Sequence, residues 1–253
     1  MIPIKDDIPT RRFPILTVLI IVACAVVYFG FEQGGLTLGH TGEKRVVEYG
    51  AVPYEISHPG KECAQEGQQL VCPGPSQGQA ATWLTLFTSM FMHGGLLHLA
   101  GNMLFLWIFG NNVEDSMGRP RFVAFYLLGG LAAVLGQTLI DPNSAAPTVG
   151  ASGAIAAVLG AYALLYPRAR VVTLIFIVIF FTIVELPALL VLGLWFLIQV
   201  FYGAAELGQP IGGSGGVAYF AHIGGFLFGL LAIKLFANRI HEDYDAQRRL
   251  PVY

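Results

Sequence analysis

Five apolar stretches, at about 14–31, 94–113, 122–140, 187–203 and 217–237, each approach the roughly 17–25 residues that carry a helix across a bilayer. They leave the chain few ways to fold. Hydrocarbon offers backbone N–H and C=O groups no partner, so such stretches must pair internally as helices. Composition agrees: 55% of the 253 residues are hydrophobic and only 12% are charged, where a soluble domain carries about a quarter charged residues. A sixth segment, 152–166, is short, but its run Ala154-Ile155-Ala156-Ala157-Val158-Leu159-Gly160-Ala161 suits a helix enclosed by others, because small residues let backbones approach. The expected fold is an all-α membrane bundle of six transmembrane helices in a single domain over 1–253, with a long external first loop (32–92) and a cytoplasmic tail (238–253). The first stretch is read as a span and not as a cleaved signal, since Phe29-Gly30-Phe31-Glu32 closes it without a small-x-small site.

Segment 171–184 decides the topology. It is apolar for fourteen residues, then meets Glu185 and Pro187. As a helix it would rise about 21 Å, short of the roughly 30 Å hydrocarbon core. Its β-branched richness also suits an extended or re-entrant piece, so it is read as interfacial. With six spans and the amino terminus inside, eleven of the fourteen Lys and Arg residues fall on the cytoplasmic side. The other three, Lys44, Arg45 and Lys61, lie in the first loop among six glutamates. A seventh span would put the basic carboxyl tail outside and break this pattern. It would also send Ser152 and His222 to opposite faces, whereas six spans put both in the outer half of the membrane.

The loop from about 32 to 80 is rich in Gly, Gln, Pro and Glu and is expected to be irregular. Cys63 and Cys72 lie in it, where oxidising conditions would permit but do not require a bridge, and Cys24 falls within the first span. The net charge of −2 identifies no partner, and nothing points to nucleic acid.

Polar side chains inside a membrane are costly, so those present need a chemical reason. Ser152, in Gly150-Ala151-Ser152-Gly153, opens the fourth segment, and His222 lies inside the sixth. Ala218, His222, Gly225 and Gly229 recur at helical spacing, as do Ser152, Ala156, Gly160 and Ala163. Two smooth faces can therefore pack with serine opposite histidine. Each residue also has a plainer role: a serine after a glycine-rich turn is often a helix cap, and a membrane histidine often only packs. In the second segment His98 and Asn102, four apart, share a face near the outer end, where with the Ser152 backbone N–H they would supply donors to an oxyanion. The plainer reading, that such residues only brace the loop, is expected of His93 more than of these two. His93 and His98 are five apart and no His-Glu-x-x-His occurs, so no helical zinc pair is expected. Ala154 stands where the soluble hydrolase elbow needs its second glycine.

The run His93 to Asn102, its continuation Met103 to Asp115, Gly150-Ala151-Ser152-Gly153 and Ala221-His222-Ile223-Gly224-Gly225 closely resemble the rhomboid family of intramembrane serine proteases, over about 13–240. The resemblance implies Ser152 as nucleophile and His222 as general base of a Ser-His dyad. It assigns His98, Asn102 and Gly150, with the Ser152 amide, to the oxyanion and substrate site, and gives His93 a structural place. It further implies no cofactor or metal, transmembrane-helix proteins as substrates, and a bacterial inner membrane with both termini cytoplasmic. A water-filled cavity would open outward, substrate would arrive laterally past the fifth helix, and the loop 204–216 would act as a mobile cap. Two positions depart from the family. Trp83 is followed by Leu84 where some relatives have arginine, which leaves the anchoring of the first loop open. Ala156 stands where some place a tyrosine against the imidazole, so another group must orient His222. A non-catalytic client-binding scaffold on the same fold is the alternative. A small transporter is disfavoured by the lack of paired carboxylates or an inverted repeat.

Overall fold

A computed structural model describes residues 1–35, 43–66, 69–75, 79–177, 180–207 and 217–238. Most of the cap expected at 204–216 and nearly all of the tail expected at 238–253 lie outside these residues. The chain starts with a strand, β1 (Ile2–Asp6), and then enters α1 (Ile15–Val26), which runs on in a π turn to Phe31. The first loop holds α2 (Glu43–Tyr49), α3 (Pro53–Ser57), the hairpin β2 (Glu62–Glu66) and β3 (Gln69–Gly74), and α4 (Thr82–Thr88). Next come α5 (Leu96–Phe105), joined by a π turn to α6 (Asn111–Met117), then α7 (Arg119–Ile140) and α8 (Ser152–Leu165). The strands β4 (Arg170–Ile177) and β5 (Phe180–Pro187) lead into α9 (Ala188–Glu206), and α10 (Tyr219–Phe236) closes the described bundle.

Four helices are long and apolar enough to cross a membrane: Leu96–Met117, Arg119–Ile140, Ala188–Glu206 and Tyr219–Phe236. Ile15–Phe31 and Ser152–Leu165 are shorter apolar helices. Lipid is the natural solvent for the outer faces, where Leu139, Leu231 and Leu235 are each at least 80% exposed. At the centre lies α8. Twelve of its fourteen residues are buried, as its alanine and glycine content requires of a helix hemmed in on all sides.

Segment 171–184 is an antiparallel hairpin, paired from Arg170↔Pro187 to Ile177↔Phe180. Its β-branched and aromatic residues suit a strand better than a helix, and β1 adds to its edge from Ile2↔Leu174 to Asp6↔Val171. The hairpin carries exposed Phe176, Phe180, Phe181 and Ile183. Three carboxylates hold this end of the molecule to the bundle. Asp6 accepts from Asn112 Nδ2 and from the Tyr162 hydroxyl, both at 2.6 Å, and burial pushes its carboxyl up to about 6. Glu114 takes the backbone N–H groups of Leu16 and Thr17 and the Thr17 hydroxyl, supplying acceptors to the exposed first turn of α1. Asp115 accepts from the Arg11 N–H at 3.1 Å.

The first loop is more ordered than its composition suggests. A disulfide joins Cys63 to Cys72 across β2 and β3, and the Cys63 N–H donates to Glu55, whose carboxyl burial pushes upward. The loop is tied to the site without an arginine after Trp83: Ala51 and Thr148 exchange backbone hydrogen bonds of 3.1 and 2.8 Å, Tyr54 N–H donates to Ser144 O, and the Thr88 hydroxyl donates to Tyr49 O at 2.7 Å.

Candidate active site

The site rests on contact between α8 and α10 with almost no side chain between them. A methyl group at Gly225 would overlap the carbonyl oxygen of Gly153, one at Gly229 that of Ala157, and one at Gly160 that of Phe226. Only hydrogen at these positions allows the backbones to meet. The two smooth faces expected from the spacing are therefore packed against each other, and the residues at the Ser152 end come into register.

There the Ser152 Oγ lies 2.8 Å from His222 Nε2. Ser152 is the first residue of α8, and the described residues give that helix no side-chain cap, so its hydroxyl is turned to the imidazole instead. The serine is half-buried and the histidine 9% exposed, so the pair is largely shielded. On its other edge His222 Nδ1 lies 2.8 Å from Gln199 Oε1, on α9. The indole of Trp195, one turn earlier, faces the imidazole with centroids 5.6 Å apart. Gln199 was not among the residues expected at the site. Its signal was available: an amide alone in an apolar run needs a partner as much as a histidine does.

His98 and Asn102 converge on Gly150, two residues before the serine. Gly150 has φ +123°, and a methyl there would lie 2.7 Å from His98 Nε2 and 3.5 Å from Asn102 Nδ2. An L-residue would therefore meet both backbone strain and a clash. Asn102 is buried, and its Nδ2 has no hydrogen-bond partner among the described residues. His98 is exposed. The Gly150 N–H donates to Ser89 O at 2.8 Å, which holds the turn in place. Ser152, at the start of a helix, has a backbone N–H without an intrahelical acceptor. His98 and Asn102 are thus both placed against Gly150, two residues before Ser152.

His93 stands behind this group. Its ring meets His98 edge to face at 5.2 Å, its Nδ1 bonds Phe91 O at 3.2 Å, and its backbone N–H is shared by both oxygens of Glu32 at 3.1 Å. Burial, helped by the nearby His98, pushes the His93 imidazole down to about 3. Burial pushes the Glu32 carboxyl up to about 7, against the lowering effect of the His93 N–H. Both therefore favour their neutral forms, as groups lacking water do. Among the described residues no group of three or more His, Cys, Asp or Glu side chains is arranged to hold a metal ion.

Comparison with known proteins follows the same outline. The rhomboid domain family matches residues 80–239, which include every residue of this site except Glu32. Rhomboid protein 1, mitochondrial, of Saccharomyces cerevisiae is 32% identical over 174 residues, 66% of this chain and 45% of that protein. Rhomboid protease GluP of Bacillus subtilis is 32% identical over 148 residues, 58% of this chain and 24% of that protein. RHOMBOID-like protein 5 of Arabidopsis thaliana is 40% identical over 76 residues, 30% of this chain and 25% of that protein. The chain spans less than half the length of each of these relatives.

Proposed function

The chain belongs to the rhomboid family, and from that premise we propose that it is an intramembrane serine endopeptidase working through a Ser152–His222 dyad. The carrying observation is the 2.8 Å contact between the Ser152 Oγ and His222 Nε2, made between helices whose glycines let the backbones touch. Such a contact lets the imidazole take the hydroxyl proton as the oxygen attacks a peptide carbonyl. The C=O becomes an alkoxide in the space bounded by Asn102 Nδ2, His98 Nε2 and the Ser152 N–H. The buried Asn102 Nδ2 is a donor waiting for that charge, and one such donor is worth roughly 3–4 kcal/mol in the transition state. The imidazolium returns its proton to the departing amine. Water arriving past exposed His98 then gives a proton to His222 as it attacks the acyl-serine, and the imidazolium returns that proton to the departing Ser152 Oγ, freeing the carboxylic acid, which ionises in water.

Substrates are transmembrane-helix proteins. A helical carbonyl is hydrogen-bonded and shielded, so cleavage requires local unwinding, and spans with Gly or Pro near the outer end are preferred. The proposed arrangement has six membrane helices, both termini on the cytoplasmic side, the disulfide loop and the dyad toward the exterior, and the 170–187 hairpin at the inner interface. The distribution of Lys and Arg favours this orientation. The scaffold alternative gains nothing from a serine and a histidine held within hydrogen-bond distance.

The test is labelling of the detergent-solubilised chain with a fluorophosphonate, beside Ser152→Ala and His222→Ala. Labelling of the wild type alone is expected, and equal labelling of all three would refute the assigned nucleophile.

A further inference from the structure

A base with two ring nitrogens serves a nucleophile only if the nitrogen facing it lacks the proton. In the absence of an acid partner, something else must set which nitrogen that is. We propose that Gln199 is the positioning residue that fixes the His222 tautomer, an inference that rests on the dyad reading and goes beyond it.

The observation is a chain of three hydrogen bonds with a single self-consistent direction. Gln199 is 6% exposed in an otherwise apolar stretch of α9, so both ends of its amide need partners. One end meets the carbonyl oxygen of Trp195 at 3.2 Å, and a carbonyl can only accept. That end is therefore the NH₂, and the end toward His222 Nδ1, at 2.8 Å, is the oxygen. An oxygen there can only accept, so Nδ1 carries the imidazole proton. Nε2 is then left with its lone pair, facing the Ser152 hydroxyl at 2.8 Å. Reversing the amide would place oxygen against oxygen at Trp195, losing that bond, and would turn the NH₂ toward Nδ1, which favours the opposite tautomer; the Trp195 carbonyl therefore decides the orientation. The backbone of α9 thereby dictates, through one side chain, the protonation pattern of a histidine on α10.

Placement supports the assignment. Ala188, Leu192, Trp195, Gln199 and Gly203 share one helix face at steps of four, three, four and four, and this face turns inward. Trp195 lies beside the imidazole plane, so the same face limits ring rotation as well as tautomer. The device differs from a carboxylate in a triad: a neutral amide orients the ring but adds no charge to stabilise the imidazolium. Ala156, small where a ring is placed in some relatives, leaves the orientation to α9.

The test uses the full chain in detergent with Gln199→Met, which keeps the size and removes the acceptor, and Gln199→Glu, which keeps an acceptor. The fluorophosphonate labelling rate of Gln199→Met should fall about tenfold to a hundredfold, with a thermal midpoint close to wild type, while Gln199→Glu should recover most of the rate. Nitrogen resonances of heavy-nitrogen-labelled histidine, assigned by difference from His222→Ala, should put the wild-type proton on Nδ1. In Gln199→Met they should show exchange between the two sites. A wild-type proton on Nε2 overturns the inference, as does wild-type labelling by Gln199→Met. A wild type with the Nδ1 proton, lost in Gln199→Met, but without Ser152-dependent labelling would support the tautomer role while sinking the protease reading.

Discussion

Two helix contacts meet at His222 and are built in opposite ways. Between α8 and α10 the backbones touch through Gly160, Gly225 and Gly229, and no larger residue fits there. Against α10 from the other side, α9 presents Trp195 and Gln199, while Leu197 and Phe201 on its outer face are 63% and 69% exposed. At Gly203, where α9 meets α10, a methyl would stand 3.4–3.5 Å from the side chains of Tyr219, Phe220 and Ile223, at ordinary van der Waals distance. The first contact is a fixed distance and the second an adjustable cover. The proposed nucleophile and base thus sit on the unyielding side, where a fraction of an ångström matters, and the proposed orienting amide comes from the compliant side.

The comparison can be broken most severely at the dyad. Ser152→Ala or His222→Ala should lower cleavage by about 10⁴-fold or more, measured against a membrane-span substrate, and residual activity above that level would mean the rigid contact does not carry the chemistry. Next comes the oxyanion space: Asn102→Ala should cost about 10²–10³ in kcat with little change in KM. Gly150→Ala should cost at least as much and also lower the thermal midpoint, since its φ and the His98 ring both oppose a methyl. Gly229→Val should destabilise by about 1–3 kcal/mol or more through forced separation of α8 and α10. Gly203→Ala should leave activity near that of wild type and stability within about 1 kcal/mol of it, and a large loss there would erase the contrast between the two contacts.

A smaller effect sharpens the picture behind the site. Glu32, raised from 4.5 to about 7, holds its proton more tightly when folded, so its contribution is complete below 4.5 and is lost as pH rises through 7. His93, lowered from 6.5 to about 3, acts in the other sense: the unfolded chain takes up a proton first, and stability falls as pH drops from 6.5 toward 3. Between 4.5 and 6.5 the two oppose each other and the wild-type melting curve should be nearly flat. Glu32→Gln should then become more stable as pH rises across that range, and His93→Phe less stable.

What could be read before folding divides along the same line. Ser152, His222, His98 and Asn102 stood out because each is a polar group in an apolar run, and the small-residue spacing proposed which helices would meet. Gln199 obeys the same rule but pairs across to another helix, and that partner depends on how α9 is docked. Local sequence also hid the sheet. The run Ile177-Val178-Ile179-Phe180 has no Gly, Pro, Asn or Asp to announce a turn, and β1 finds its partner about 170 positions away. The first loop looked irregular because composition does not reveal a disulfide or a two-residue bridge between Ala51 and Thr148.

The brevity of α8 has a consequence of its own. Its fourteen residues climb only about 21 Å, roughly 9 Å less than the hydrocarbon is thick. In the proposed orientation its lower end is tied to the sheet through Tyr162 and Asp6, so the shortfall would lie above Ser152. Helix length would then act as a depth gauge, setting how far below the headgroups the proposed protease cuts. Inserting one further turn would lift the hydroxyl about 5.4 Å and move the cut toward the surface by the same measure.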